Sequence, residues 1–285
     1  MEVLVQLLMN SLNLGLSYVL MALGLTTIFS IMGIVNFAHG EIYMLGAFAA
    51  YVAAAQLKIG FPFDLFIAVL ATGGLGFVIE RFLFRRFRGE QLKGLVLSLG
   101  LSILIQNMAY VIWGGDDRSF AAPFRGISFD LLGSSIPMER MVMMGVSVSM
   151  LLLMYYFVVH TKTGQAMQAV AQDADAAALQ GININRISMI SFGVGCALAG
   201  LAGALMGPIF YISPFIGGLP VIKAFVVIVL GGLGSIFGAL VGGLLLGAID
   251  SISLYFLGTM GNMAGFVVLI LIILFRPKGL FGYES

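Results

Sequence analysis

The sequence predicts an all-α polytopic membrane protein, and three observations make that prediction. Only 9% of its 285 residues are charged, against roughly 25% in soluble globular proteins. Hydrophobic residues make up 60% and the mean hydropathy is +1.08. Apolar stretches recur at about the 20-residue length that a helix needs to cross a hydrocarbon core. A water-soluble domain of 30.3 kDa could not hide this much apolar surface. A net charge of +1 gives no electrostatic basis for a nucleic-acid partner, and the single Cys196 cannot form an internal disulfide.

The first stretch, 5–33, lies in a region with no charged residue between Glu2 and Glu41. Acidic Glu2, the lack of a basic leader and the length of the stretch argue against a cleaved signal peptide, so a retained spanning helix is expected. Further apolar stretches follow at 41–57, 63–82, 94–113, 139–160, 187–212, 219–233, 235–256 and 262–275. The stretch 219–233 is short, and Gly231-Gly232-Leu233-Gly234-Ser235 interrupts what would otherwise be one very long segment. Glycine-rich breaks are tolerated in membranes where the freed backbone faces protein or water, so a broken helix or helical hairpin is predicted there. The expected total is eight or nine passes, in a single domain spanning 1–285.

Lysine and arginine gather on the cytoplasmic side of membrane proteins. Arg81, Arg85, Arg86, Arg88 and Lys93 mark the third connection as cytoplasmic, with Lys162, Arg186, Arg276 and Lys278 on the same side. Lys58, Arg118, Arg125, Arg140 and Lys223 fall elsewhere. Counting back three spans from Arg81 puts the N-terminus outside and the C-terminus in the cytoplasm. The loop 114–138, with Asp116, Asp117, Arg118, Pro123, Arg125 and Asp130, is then external, either a folded cap or docking surface or a solvated connector.

Membrane helices associate through small residues that let backbones approach. Gly195, Ala199, Gly203 and Gly207 recur every four residues, as do Gly234, Gly238 and Gly242, which predicts close helix packing. Enzyme chemistry finds little support. No lysine follows a glycine, so a Walker A loop is absent, and two histidines with no paired carboxylates leave no metal or acid–base site.

The most informative polar cluster is Asn36-Phe37-Ala38-His39-Gly40-Glu41. Polar groups at membrane depth usually face an internal cavity, so Asn36, His39, Gly40 and Glu41 are candidates for a substrate pathway or its gate. The plainer alternative is a helix start, with Asn36 capping and Glu41 complementing the dipole. Lys223 and Asp250 are isolated charges that fit a helix end or a buried pair better than a transport site.

The segment 163–181 is too polar and too alanine-rich to span. Met167, Val170, Ala171, Ala174 and Ala178 follow helical spacing, predicting one continuous apolar face, and Gly181 supplies a stop. Such a helix suits the groove of another protein.

Gly33-Ile-Val-Asn-Phe-Ala-His-Gly-Glu-Ile-Tyr-Met-Leu-Gly, Ala169-Val-Ala-Gln-Asp with Leu179-Gln-Gly-Ile-Asn, Gly231-Gly-Leu-Gly-Ser-Ile-Phe-Gly-Ala and Arg276-Pro-Lys-Gly-Leu-Phe-Gly together resemble the branched-chain amino acid ABC importer permeases of LivH type. The resemblance implies a homologous LivM-type second permease, two cytoplasmic ATPases that hold the Mg-ATP, an extracytoplasmic solute-binding protein, and the bacterial inner membrane. It implies no cofactor in this chain. The polar helix resembles the family's E-A-A-x-x-x-G coupling segment, with Asp175-Ala176-Ala177 and Gly181 in its positions. Met167, Val170, Ala171, Asp173, Asp175, Ala176, Ala177, Leu179 and Gly181 are accordingly the expected ATPase-coupling residues. Gln165 and Gln168 replace arginines common in the family, and Phe237 replaces a frequent proline. Relatives also carry amides and urea, so the solute is not fixed. An ion-coupled secondary transporter would explain broken helices but not the 163–181 helix, and a membrane scaffold would explain only the packing ridges.

Overall fold

The computed structural model describes residues 2–120, 124, 126–131, 133–276 and 279–281. Pro123, Arg125 and Lys278, named above, lie outside the described residues. In chain order the elements are α1 (Glu2–Met32), α2 (His39–Tyr51) continued by a π-helical turn, α3 (Phe63–Phe82), a 3-10 turn at Phe84–Phe87 and α4 (Gln91–Trp113). A β-hairpin, β1 (Ser128–Leu131) and β2 (Ser134–Pro137), precedes α5 (Met138–His160), α6 (Lys162–Gln172) and α7 (Ala174–Leu179). The chain continues through α8 (Ile184–Met206), α9 (Gly218–Gly231), α10 (Ile236–Leu257), a 3-10 turn at Gly258–Met263 and α11 (Ala264–Phe275).

Each apolar stretch folds as a helix, but among the described residues six helical runs are long and apolar enough to cross a membrane. These are Glu2–Met32, Phe63–Phe82, Gln91–Trp113, Met138–His160, Ile184–Met206 and Ile236–Phe275. Helices α2, α9 and α11 have 13, 14 and 12 residues. At 1.5 Å per residue each reaches about 20 Å, short of a ~30 Å core. Hydropathy therefore finds more apolar segments than there are full-length helices, because it registers composition and not where a helix starts.

The centre is built by α1 and α8, both mostly buried. A Cβ at Gly195 would sit 2.6 Å from the Gly24 carbonyl oxygen, so only glycine lets these backbones touch. The expected ridges are packing surfaces: a Cβ at Gly203 would meet Tyr43 of α2, and one at Gly242 would stand 2.9 Å from the Val227 oxygen; Gly200, outside both ridges, packs in the same way on Thr72 of α3. Helices α4 and α5 form the outside and turn large apolar side chains outward, among them Val96, Ile103, Val111 and Leu152. Water would not tolerate that surface, whereas lipid does.

The connections sort into two ends. At one end Arg88 donates to Asn185 Oδ1 (2.9 Å), Ser30 donates to the Gly234 oxygen (3.4 Å), and Ile31 packs on Met167 and Val170. At the other, Ser134 donates to the Glu2 carbonyl (2.8 Å) and Arg118 pairs with Ile212 through backbone hydrogen bonds. The loop 114–138 is thus partly folded, with β1 and β2 paired from Ser128↔Pro137 to Leu131↔Ser134. This hairpin is the one departure from the all-α expectation among the described residues.

Candidate functional site

The polar cluster sits inside the bundle. Met32 ends α1, yet His39 Nε2 lies 3.2 Å from the carbonyl of Met21 on the same helix. Eleven residues at 1.5 Å per residue mean that 33–38 folds back by about 16 Å before α2 begins. A carbonyl only accepts, so Nε2 carries the proton and Nδ1 is left as an acceptor. His39 is fully buried, Asn36 is 1% exposed and Glu41 4%. Gly40 meets the start of α9, where a Cβ would stand 2.5 Å from the Gly217 oxygen, and Phe37 packs on Phe225 of α9 at 4.9 Å. The site therefore joins the N-terminal ends of two short helices, with Glu41 in the first turn of one.

Helix α4 holds the loop in place. Ser98 Oγ accepts from the Phe37 N–H (3.1 Å) and donates to the Leu95 carbonyl (2.8 Å), while Ser102 Oγ donates to Glu41 Oε1 (3.1 Å). The i, i+4 spacing of Ser98 and Ser102 on one face of α4 is the sequence signal for these two supports. Asn36 does not cap α2: the cap position is Ala38, with no side-chain bond. Instead Asn36 Oδ1, His39 Nδ1 and Glu41 Oε2 have no hydrogen-bond partner. Three unpartnered polar atoms in one buried loop are costly and rare.

The polar segment differs from expectation. Asp173 is extended and its Oδ1 accepts from the N–H groups of Asp175 (3.0 Å) and Ala176 (2.9 Å), so one helix becomes two, α6 and α7. The continuous face over Met167, Val170, Ala171, Ala174 and Ala178 is broken at that cap. Met167, Val170 and Ala177 are buried against Ile187, with Ile31 and Phe157 beside them, so they face their own bundle. An amphipathic helix lying on a bundle end buries its apolar stripe there first. Ala171, Asp173, Asp175, Ala176 and Gly181 are exposed, and Leu179 is 89% exposed. Gly181 does stop α7: its φ is +83°, its N–H donates to the Ala178 oxygen, and Ile182 donates to Ala177.

The glycine break is a hairpin. Gly232 and Gly234 have φ of +104° and +84°, and Ser235 Oγ accepts from the Gly238 N–H (2.9 Å) to cap α10. Gly231 packs on Gly238 across the hairpin. The closing residues fold onto it, with Leu280 and Phe281 donating to the Leu230 and Gly231 carbonyls. Phe237 meets Phe281 edge-on at 5.1 Å.

Two buried charge networks lie apart from these segments, one of them the buried pair that Lys223 and Asp250 offered as an alternative. Glu80, with its side chain fully buried, takes Arg85 and Arg88, each at 2.9 Å, and both arginines reach Asn185 on α8. Lys223 and Asp250 form a fully buried pair at 2.8 Å, joined by Tyr18 and the Asn262 carbonyl.

Over residues 7–275 the chain matches the family described as "Branched-chain amino acid transport system / permease component". It belongs to this permease family. The permease is 34% identical to the high-affinity branched-chain amino acid permease protein LivH of Salmonella typhimurium, covering 97% of this chain and 95% of the relative. It is 35% identical to BraD of Pseudomonas aeruginosa over the same shares, and 26% identical to LivM of Escherichia coli over 94% of this chain and 68% of that protein. No solved structure matches the permease.

Proposed function

We propose that this chain is the transmembrane subunit of an ATP-driven importer for branched-chain amino acids or related small polar solutes. The single observation that carries the ATP-driven part is α7. It projects from the bundle with Leu179 and Asp175 exposed, while the helix before it is anchored by Met167 and Val170. A rigid base under an exposed tip is what an external motor needs to push on. Asp175, Ala176, Leu179 and Gly181 then touch the ATPase, while Met167, Val170 and Ala177 pass the displacement to α1 and α8, and Asp173 keeps the two helices hinged.

The family supports the remaining partners: a LivM-like second permease, two ATPases holding Mg-ATP, and an extracytoplasmic binding protein. The loop at Asn36, His39, Gly40 and Glu41 is buried, and its unpartnered atoms favour a second conformation in which water or solute completes their bonds. Counting the short helices, the chain makes eight or nine passes in the bacterial inner membrane, N-terminus outside and C-terminus in the cytoplasm. The sorting of basic connections to the end that holds α6 and α7 supports that orientation.

The test is reconstitution. Proteoliposomes holding this chain, its second permease and the ATPases should take up L-leucine only with internal or external Mg-ATP at the ATPase face and binding protein opposite. Uptake by this chain alone, driven by an ion gradient without ATP, would establish a secondary transporter instead.

A further inference from the structure

A cavity of about 360 Å³ opens between α1, α5, α8 and α10, remote from the loop 33–41 and from α6 and α7. It lies toward the end of the bundle that holds Glu2, since Ser251 on its wall donates to the Leu7 carbonyl of α1. Asn10, Asn13, Arg140 and Ser251 supply its polar wall, and Leu14 and Met143 belong to its apolar wall. This combination of a largely apolar lining with a few polar groups, at a volume of a few hundred Å³, is that of a small-molecule site.

The polar groups are complementary to a particular ligand. Arg140 is a half-buried cation whose guanidinium donates to Asn10 Oδ1. Among the described residues the ion pairs are Glu80 with Arg85 and Arg88, Glu90 with Lys93, and Asp250 with Lys223, so no carboxylate neutralises Arg140. A guanidinium has five N–H donors in a fork that matches a carboxylate. Asn13 is 6% exposed, and its Nδ2 donates to the Met9 carbonyl at 3.0 Å. Because that carbonyl can only accept, the amide orientation is fixed, and Oδ1 is left as a buried acceptor behind the wall with no partner. A cation without a carboxylate partner therefore lines a cavity whose wall is mostly apolar.

We propose that this cavity binds the α-amino acid solute of the permease, with its carboxylate on Arg140 and its apolar side chain against Leu14 and Met143. The site would receive solute from the side of Glu2 before the loop at 36–41 opens. It rests on the solute-permease reading above.

The test uses the complete complex with its second permease and ATPases. In detergent, without binding protein, L-leucine should raise the melting midpoint of the wild-type complex, and isoamylamine, which lacks the carboxylate, should not. Arg140→Gln should abolish the shift and raise the KM for uptake roughly 10- to 100-fold, the range for losing a charge-assisted hydrogen bond, while leaving kcat close to wild type. Leu7→Trp fills the cavity from its wall without touching the charge and should have the same effect, so a folding defect in Arg140→Gln does not decide the matter. An unchanged leucine shift and KM in both variants would overturn the site while leaving the permease reading standing. A midpoint that follows added phosphatidylglycerol and ignores leucine would make the cavity a lipid seat and overturn it as well. Failure of the wild-type complex to take up leucine would remove the permease reading and the site with it.

Discussion

Lys223 and Asp250 are charges that a bilayer core rejects, and their geometry accounts for their presence. The ammonium lies 2.8 Å from the carboxylate and donates to the Asn262 carbonyl at 2.9 Å, with the Phe266 ring 4.9 Å away. Tyr18 donates to the other carboxylate oxygen at 2.9 Å. The pair thus ties α1, α9, α10 and the turn before α11 together, as the buried-pair alternative has it. Breaking such a pair leaves an uncompensated buried charge, so Lys223→Met should cost about 3–5 kcal/mol. Replacing both charges, as Lys223→Met with Asp250→Met, should recover more than half of that loss in the thermal unfolding midpoint. A double variant no more stable than the single one would mean that the network does more than balance charge. The loop residues behave differently. His39→Ala and Glu41→Gln remove groups that already lack one partner each, so both should change uptake kinetics while leaving the amount of assembled complex unaltered. Wild-type kinetics in both variants would reduce the loop to a helix start. The cluster itself was legible, because three polar types within six residues stand out in an apolar chain. Its depth was not, since nothing local reports that residues 33–38 turn back along α1.

At the scale of the element, α6 and α7 show where sequence periodicity succeeds and where it stops. The apolar spacing correctly marked Met167 and Val170 as one face, but spacing cannot say what covers a face, and the bundle end lay closer than any partner. Asp173 was equally ambiguous: a charged residue in an alanine run reads as a solvated surface, yet its carboxylate caps the next helix. Gly181, by contrast, was legible from its type alone, because a helix stop with φ of +83° favours glycine. Gly181→Glu should therefore combine a left-handed-backbone penalty of about 1–2 kcal/mol with a charge beside the exposed tip. The expected outcome is loss of solute uptake with a bundle that still assembles with its second permease. Leu179→Asp should separate ATP hydrolysis from uptake in the same way without backbone strain, measured as solute moved per ATP consumed. If Leu179→Asp couples like wild type, the tip is not the docking point.

For the whole molecule, the decisive quantity is which end of the bundle faces which side of the membrane. Nine apolar segments were readable because membranes impose length and hydropathy on every pass. What stayed hidden was that α2, α9 and α11 fall well short of a full crossing, since their starts depend on approaches such as Gly40 to Gly217. The fold itself provides a clean way to test the topology. Cys196, the one cysteine, is fully buried on α8, so the unmodified chain offers no reactive thiol to a membrane-impermeant maleimide. Lys58, Asp116, Arg86, Asp175 and Leu233 are all exposed, and each can be replaced by cysteine singly. With the N-terminus outside, Lys58→Cys and Asp116→Cys should label from the extracytoplasmic side of right-side-out vesicles. Arg86→Cys, Asp175→Cys and Leu233→Cys should label only in inverted vesicles. The position at 233 discriminates most, because it sits in the turn between α9 and α10. If it labels together with Lys58→Cys, the hairpin does not traverse and the pass count falls by two. If Arg86→Cys labels from outside, the orientation is inverted, and α7 could not meet a cytoplasmic ATPase at all. The labelling pattern would thus test the importer mechanism through topology alone, before any solute is measured.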